Sequence, residues 1–386
     1  MHPLVDSNTL LDYHLVTLRR SSWKTEPQKY NCRFLKNNLD LKKSLASGTY
    51  QTSEGSEFLK KERGRTRRIL GRRHKDRIVR NILCEKILGP ELERFLFWNN
   101  SASREGKGVS FARNNFERDL HNFYLEYGDN DGYVLFFDFS KYFDNIVHST
   151  AKEQIYPHVD PVTRSVLDEI ISNFRVDISA LSREERKGFM SSTFNSVKYF
   201  NEIRKEQRTG ECFADKSIDI GDRVSQNIAC LYATRIDNWV KNVGRIKRYG
   251  RYNDDGYVIC RDRERAKEIL KGVLVAAKSL GIFINLKKTR ICKLSSKYKF
   301  LQIRYSLDAN GRVVKRINPK AITRERRKLK AYRRLVYDSR MSLEQVIEAY
   351  KSWLGNFWRL MSRRQLESMS SLFTHLFGVT VRWKQK

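Results

Sequence analysis

The chain has 386 residues, 40% hydrophobic and 12% aromatic, which is enough for a real core and argues against intrinsic disorder. Its 76 Lys and Arg residues against 44 Asp and Glu residues give a net charge of +32, which favours a polyanionic partner, above all nucleic acid. No apolar run is long enough for a transmembrane helix, and the first residues lack the pattern of a secretory signal, so no membrane association is expected. The six Cys residues are scattered singly, which favours a reducing cytoplasm.

The first part of the chain combines a polar extension with a strongly basic stretch. Residues 1–60 are mixed in character, and residues 47–56 are predicted to form a loop because they hold Gly, Thr and Ser. Residues 61–68 carry dense positive charge. A helix is predicted over residues 76–88, because its apolar residues recur on one face and Gly89 and Pro90 follow it.

Strand and helix patterns alternate in the middle of the chain. Residues 133–137 form a dense apolar run, which predicts a buried strand, and residues 251–260 indicate a hairpin. Residues 263–280 show helical periodicity, and residues 282–284 and 298–305 are predicted to be strands. Because no regular alternation of strand and helix appears, we expect an α+β fold, a sheet flanked by helices.

Two carboxylate sites stand out in this pattern. Asp138 ends the apolar run, and Asp254 with Asp255 occupies the tight turn of the predicted hairpin. Each site alone is explained by the preference of Asp for turns. Together, three carboxylates on neighbouring strand ends could hold two divalent ions, roughly 3.5–4 Å apart, for phosphoryl transfer. Mg²⁺ suits such a site, with Mn²⁺ as a possible substitute.

These residues resemble the reverse transcriptases, specifically the prokaryotic ones. Residues 252–255 match the Y-x-D-D motif of that family, and Asp138 matches the aspartate of its first palm motif. Further segments are similar to the fingers motif with its D-R-I-V core, the next conserved block, the fourth palm motif ending in K-T, the primer grip and a thumb signature: residues 72–83, 103–108, 281–289, 300–302 and 350–355.

The resemblance implies a right-hand polymerase, with fingers, an antiparallel-sheet palm and a helical thumb. We expect an N-terminal extension over residues 1–60, fingers over 61–130, a palm over 131–310 and a basic helical thumb over 311–386. The gap between the first two palm motifs is long for the minimal fold, so a helical insertion is expected at about 151–213.

The resemblance also implies roles for individual residues. Asp138, Asp254 and Asp255 would be the catalytic, metal-binding triad, and Phe143 would be the sugar gate that excludes a ribose 2′-hydroxyl. Lys141 and Tyr142 would offer backbone N–H groups to the triphosphate of the dNTP. Lys75 and Arg77 of the fingers would bind its phosphates as cations. Lys288 would be the proton donor to pyrophosphate.

Residues 220–226 depart from the commonest reverse transcriptase pattern. They read G-x-x-x-S-Q from Gly221 to Gln226, a form similar to diversity-generating retroelement enzymes and phage-defence reverse transcriptases. Gly221 would allow close approach to the incoming base pair, and Gln226 would lie near the template.

The region assigned to the thumb is unusually basic. Residues 311–340 hold twelve Lys and Arg residues against two acidic residues, a net charge of +10. This charge fits contact with a nucleic-acid backbone. The candidates for that contact are Arg324, Arg326, Arg327, Lys328 and Arg333.

The function implied is RNA-directed DNA synthesis, in which dNTPs extend a primer 3′-hydroxyl on an RNA template. We favour a bacterial antiviral defence role with a dedicated structured non-coding RNA, and an accessory protein or second polymerase subunit is a possible partner. The alternatives are a diversity-generating retroelement enzyme, a template-independent or protein-primed DNA polymerase, and a non-catalytic RNA-binding protein of the same fold. The intact triad argues against the last of these.

Overall fold

The computed structural model describes residues 1–62 and 64–381 of the chain. The chain divides into two compact units, one comprising Met1–Asn115 and Val134–Ile291 and the other comprising Phe116–Tyr133 and Cys292–Lys386. None of the described helices is both long and apolar enough to cross a membrane.

Helices dominate the described residues. In chain order they are α1 (Ser7–Arg19), α2 (Thr25–Asn31), α3 (Phe34–Ala46), α4 (His74–Ile82), α5 (Gly89–Glu93), α6 (Val109–Tyr127), α7 (His148–Ile155), α8 (Pro161–Ser172), α9 (Arg183–Gly188), α10 (Ser196–Glu202), α11 (Arg223–Tyr232), α12 (Thr234–Asn238), α13 (Arg263–Ser279), α14 (Pro319–Tyr337), α15 (Leu343–Phe357) and α16 (Arg363–Phe377). The helix predicted over 76–88 is α4 continued by a π-helical stretch, Leu83–Leu88, and the helix predicted over 263–280 is α13.

The strands of the described residues form four small sheets. In chain order they are β1 (Ser56–Glu62), β2 (Arg65–Gly71), β3 (Tyr133–Asp138), β4 (Val176–Asp177), β5 (Phe213–Ala214), β6 (Arg248–Tyr252), β7 (Asp255–Cys260), β8 (Arg290–Lys293), β9 (Tyr298–Phe300), β10 (Ile303–Leu307) and β11 (Val313–Ile317). The central sheet has the order β6-β7-β3-β8, and β6 and β7 are antiparallel neighbours. The α+β fold class predicted from the sequence is confirmed.

The basic stretch before α4 forms a β-hairpin that the sequence pattern did not reveal. β1 and β2 pair antiparallel, with Ser56 opposite Gly71. Charged side chains are tolerated there because the strands are partly exposed and cross-strand pairs such as Arg68 with Glu57, at 2.9 Å, offset their charge.

One predicted strand is wrong. Residues 282–284 make only an isolated antiparallel bridge, in which Ile284 lies opposite Phe139. Ile282 and Ile284 are nevertheless buried. The apolar residues at 282–284 therefore indicated burial of this segment but not its pairing as a strand.

The predicted insertion is mainly helical, with α8, α9 and α10, but β4 and β5 also pair antiparallel within and beside it. β4, β5, α10 and the segments beside them enclose a small core of their own, formed by Val176, Ile178, Phe189, Phe194, Tyr199 and Ala214, whereas the buried residues of α8 belong to the main core.

The second unit begins its C-terminal part with the β9–β10 hairpin, whose turn residues Leu301 and Gln302 have positive φ. β11 adds to this hairpin before α14 begins, so the helical region starts later than the predicted boundary at residue 311. Helices α14 to α16 pack around a core that includes Leu329, Tyr350 and Phe373.

Candidate active site

Two predicted catalytic carboxylates lie on neighbouring parts of the central sheet. Asp138 ends β3, and β3 lies beside β7 in the sheet order. The backbone N–H of Phe139 donates to the carbonyl of Asp254 at 3.2 Å, which ties the end of β3 to the β6–β7 turn. The N–H of Asn285 donates to the carbonyl of Asp138 at 2.7 Å from the other side.

The two adjacent carboxylates of the β6–β7 hairpin lie in different places, because Asp254 is in the turn as predicted whereas Asp255 is the first residue of β7. Tyr252 lies opposite Asp255 in the ladder, and Asn253, between the strands, has a φ of +54°. Asp254 is half-buried, whereas Asp255 is exposed. The next residue, Gly256, must be glycine because an added Cβ would lie 2.2 Å from the ring of Phe137.

Lys288 forms an ion pair with Asp138, donating from its ammonium group to the carboxylate Oδ2. The Asp138 side chain is only 10% exposed, so this contact neutralises a largely buried carboxylate. The Lys288 ammonium therefore supplies the positive charge that the predicted catalytic aspartate, Asp138, requires.

A cavity of about 670 Å³ opens beside these residues, within the size range of ligand sites. Its lining residues are Thr66, Arg67, Phe139, Ser140, Lys141, Tyr142, Phe143, Asp144, Asn195, Ser196, Val197, Lys198, Ile220, Gly221, Gln226, Asn253, Asp254, Asn285 and Lys288. The structure thus brings together seven of the predicted site residues: Lys141, Tyr142, Phe143, Gly221, Gln226, Asp254 and Lys288. Asp138 joins them through its ion pair with Lys288.

The segment after β3 turns sharply at the cavity. Lys141 has a φ of +49° and an exposed side chain. The Tyr142 ring is buried, its hydroxyl donates to the carbonyl of Ala229 at 2.6 Å, and burial raises its pKa well above the ordinary value. The half-buried Phe143 ring meets it edge-on, with 5.9 Å between centroids. Tyr142 is therefore held by the core, and only its backbone is suited to a ligand.

The predicted fingers cations do not line this cavity. Lys75 lies with its ammonium 5.9 Å from the ring centroid of Tyr50, and Arg77 pairs with Glu26 of α2 at 3.9 Å. Burial lowers the pKa of Arg77. Both cations belong to α4, and these two partners belong to the N-terminal part of the chain. The β1–β2 hairpin supplies Arg67 to the cavity instead, a residue that no sequence motif had marked.

A buried ionic network fixes the segment that carries Gly221 and Gln226. Asp222 accepts from Arg80 Nε at 2.7 Å and caps α11 by accepting from the N–H of Val224 at 2.9 Å. Asp219 pairs with Arg72. The pKa of Asp219 is raised, mainly because burial disfavours the charged carboxylate. These residues were missed because neither their sequence spacing nor their residue types mark the pairing. Gly221 has a φ of +101°, in the region that favours glycine.

The donor atoms of the carboxylates suit a divalent metal ion. Carboxylate oxygens such as those of Asp138 and Asp254 fit Mg²⁺, which commonly takes one or two carboxylates together with substrate phosphates. Within residues 1–62 and 64–381, no group of three or more His, Cys, Asp or Glu side chains is arranged to hold a metal ion. The three carboxylates therefore do not form a complete cage in the described residues, and the metal-binding roles of Asp138, Asp254 and Asp255 stay predictions.

The five basic residues predicted to bind nucleic acid lie on α14 of the second unit. Arg324, Arg326, Arg327 and Arg333 are exposed, whereas Lys328 is half-buried, pairs with Glu325 at 3.5 Å and lies 5.1 Å from the ring centroid of Tyr332. With 3.6 residues per turn, Arg326 and Arg333 share one side of the helix, and Arg324 lies on the other.

Comparisons with known proteins give a family match and a structural similarity. Residues 59–305 match the family "Reverse transcriptase (RNA-dependent DNA polymerase)". Among solved structures, the chain is similar to a telomerase from Candida albicans, described in a complex with a fragment of telomeric RNA, at 12% identity with a TM-score of 0.46. That similarity covers 85% of this chain, which spans 55% of the telomerase chain. No curated protein matches the chain. Because the family match covers well over half of the residues and includes Asp138, Asp254 and the surrounding cavity, the chain belongs to the reverse transcriptase family.

Proposed function

We propose that this protein is an RNA-directed DNA polymerase that extends a primer 3′-hydroxyl with dNTPs on an RNA template. The observation that carries the proposal is the cavity between Asp254, Phe143 and Lys288, which lies inside the region that matches the family. Seven of the residues predicted from the sequence motifs line this cavity, which supports the proposal.

The residues around the cavity suit particular parts of a deoxynucleotide. The ring of Phe143 would contact the sugar and exclude a 2′-hydroxyl, and the backbone at Lys141 and Tyr142 would face the triphosphate. Gly221 leaves room for the base pair, and Gln226 would lie near the template strand.

Reverse transcriptases generally use divalent metal ions. Here Asp138 and Asp254 would hold Mg²⁺ or Mn²⁺, with Asp255 nearby, and the ions would lower the pKa of the primer hydroxyl and neutralise the leaving pyrophosphate. Lys288, whose ammonium pairs with Asp138 in this structure, would serve as the proton donor to the leaving pyrophosphate.

The proposed partners are an RNA template, a DNA product and dNTPs. An accessory protein or second polymerase subunit is a further possible partner. A bacterial antiviral defence role with a dedicated non-coding RNA is our preferred setting, motivated by the insertion and by the form of residues 220–226. The six free cysteines fit a reducing cytoplasm.

The direct experiment measures dNTP incorporation on a primed RNA template. The double variant Asp254→Asn with Asp255→Asn should lose incorporation and keep its thermal melting temperature, because amides cannot supply the charge that binds a metal ion. Asp12→Asn with Asp40→Asn removes two exposed carboxylates of the N-terminal helices and should keep activity. Full incorporation by the first double variant would refute the mechanism.

Sequencing the nucleic acid that co-purifies with the protein tests the setting. A single structured RNA with complementary DNA supports the defence role with a dedicated RNA. A template and variable repeat pair indicates a diversity-generating retroelement. DNA without any complementary template indicates template-independent or protein-primed synthesis.

A further inference from the structure

The insertion between the first two palm motifs reaches the candidate active site. Four of its residues, Asn195 to Lys198, line the cavity together with Phe143, Gly221 and Lys288. They belong to the turn before α10 and to the first residues of that helix. An insertion that served only as an outer decoration would not contribute to this surface.

Four hydrogen bonds hold the insertion against the residues that follow Phe143. Phe194 donates its N–H to Asn145 Oδ1 at 2.9 Å, and its carbonyl accepts from Asn145 Nδ2 at 3.2 Å. Ser196 donates its N–H and its hydroxyl to the carboxylate of Asp144, at 3.0 and 2.8 Å. We call these four bonds the brace.

The brace is buried, so its bonds are shielded from competing water. Asp144, Asn145, Phe194 and Ser196 are each at most 6% exposed. Ser196 gives the Asp144 carboxylate two hydrogen bonds, and a buried carboxylate that lost those donors would be costly. The position of residues 194–198 is therefore coupled to the turn that carries Phe143.

Helix α10 also contacts the β1–β2 hairpin, which supplies Thr66 and Arg67 to the cavity lining. The guanidinium carbon of Arg68, on β2, lies 3.9 Å from the ring centroid of Phe200, on α10. Arg68 also pairs with Glu57 at 2.9 Å and with Asp219 at 3.5 Å. α10 thus bridges the hairpin and the turn after β3, which are two walls of one cavity.

Lys198 brings a cation to this wall. Its side chain is 69% exposed, and its ion pair with Glu202 is long, at 3.9 Å. Lys141, Lys288 and Arg67 also line the cavity, so four basic residues contribute to its surface. A triphosphate is the ligand whose charge such a surface would match.

We infer that residues 195–198 of the insertion form a wall of the incoming-nucleotide site, with Lys198 binding the triphosphate and the brace setting the position of this wall. This inference rests on the proposed function, because it takes the cavity to be the dNTP site. Lys198 is assigned a binding role, whereas Asp144, Asn145 and Ser196 are positioning residues.

The test uses the full chain with a primed RNA template. Lys198→Ala should raise the KM for dNTP by about three- to tenfold, the effect of removing one exposed charge interaction. The kcat and the affinity for primed template should stay at parental values. Lys198→Arg, which keeps the charge, should return KM towards the parental value. Lys187→Ala, at an exposed position on α9 outside the cavity lining, is the matched control and should leave KM unchanged.

The brace is tested with Ser196→Ala, which removes one hydroxyl donor and keeps the backbone donor. It should raise KM by less than Lys198→Ala does, with little change in thermal melting temperature. In the double variant with Lys198→Ala, the loss of the Ser196 hydroxyl should raise KM little further. Ser196 acts on KM only by positioning Lys198, and that cation is already absent. Fully additive effects on KM would overturn the positioning role.

An equilibrium measurement separates this inference from the proposed function. A fluorescent dNTP analogue is titrated against the parent, Lys198→Ala and Lys187→Ala proteins without template. If the parent binds the analogue but incorporates no dNTP, the proposed function fails, and weaker binding by Lys198→Ala still supports the wall. Parental KM and parental analogue affinity in Lys198→Ala would overturn the inference.

Discussion

Arg251 and Asp237 form a completely buried, two-point ion pair, in which Nη2 of Arg251 lies 2.6 Å from Oδ2 and Nε lies 2.8 Å from Oδ1 of Asp237. The same guanidinium donates to the carbonyl of Asn253 at 3.0 Å and to that of Cys230 at 3.1 Å. One side chain therefore ties α11 and α12 to the turn that carries Asp254. Neither residue was singled out from the sequence.

Breaking this pair from one side should destabilise the protein strongly. Arg251→Met leaves Asp237 buried without its charged partner, at a cost of about 3–5 kcal/mol in the free energy of unfolding. Equilibrium unfolding in urea measures the loss. The double variant Arg251→Met with Asp237→Leu should recover part of it, because no buried charge is left unpaired. A double variant no more stable than the single one would contradict this account.

Lys288→Met should strengthen Mn²⁺ binding to the protein without nucleic acid by roughly three- to tenfold, because the ammonium no longer competes for Asp138. The free Mn²⁺ signal in electron paramagnetic resonance reports the binding directly. Lys287→Met removes the neighbouring exposed charge, which lies outside the cavity lining, and should leave the affinity unchanged. Equal Mn²⁺ affinity in both variants and the parent would show that the ion pair does not control access to Asp138.

Phe143→Ala should allow rNTP incorporation, because the variant lacks the ring that we propose to exclude the 2′-hydroxyl. The ratio of kcat/KM for dNTP to that for rNTP should fall by about tenfold or more, the effect of a few kcal/mol in discrimination. Phe143→Tyr keeps the ring and should keep the preference. If the ratio is the same in Phe143→Ala and the parent, Phe143 is a packing residue and not a gate.

Neutralising Arg326, Arg327 and Arg333 together should weaken RNA binding on all sequences alike. The slope of log affinity against log salt should become shallower, by roughly 0.7–0.9 for each phosphate that the helix no longer neutralises. A triple variant of Lys29, Lys36 and Lys43, exposed on α2 and α3, removes the same charge from another surface as a control. Identical slopes for the two triple variants would show that α14 has no special interaction with RNA.

The N-terminal helices should lose stability on mild acidification. Burial lowers the pKa of His74 to about 4. Its Nε2 atom lies 3.0 Å from Nδ1 of His14. Since the unfolded chain binds the proton with a pKa near 6.5, the native state binds fewer protons between pH 6.5 and 4. The stabilising effect of neutral His74 is thus complete above pH 6.5 and is lost progressively towards pH 4.

Urea midpoints measured from pH 7.5 to 4.5 check this sign. His74→Gln should show a shallower fall with acidification than the parent, whereas His121→Gln, at an exposed position, should follow the parent. A parental slope in His74→Gln would assign the acid sensitivity to other groups.

The sequence by itself determined the central features of the site. The apolar run before Asp138 and the polar turn at Asp254 are local patterns, and both segments form the strands or turn expected of them. Helix α13 likewise follows its own periodicity. These features were predictable because backbone hydrogen bonding and burial on one face depend on residues close together in the chain.

The local sequence pattern gave wrong predictions where the burial of side chains and the pairing of strands do not go together. Residues 282–284 are apolar because they pack, but the carbonyl of Phe283 accepts from Ser140 at 2.6 Å in place of a regular strand ladder. The β1–β2 hairpin was hidden for the opposite reason, because its charged strands lack an alternating apolar pattern.

Only the tertiary structure decided which side chains surround the cavity. It places Arg67 there instead of Lys75 and Arg77, and it adds Lys198 of the insertion. The ion pair of Lys288 with Asp138 joins residues 150 positions apart, and that of Arg80 with Asp222 joins residues 142 positions apart. Such pairs depend on the packing of distant elements and leave no periodic trace, because any of the chain's many basic residues would satisfy a carboxylate equally well until the fold brings one of them within reach.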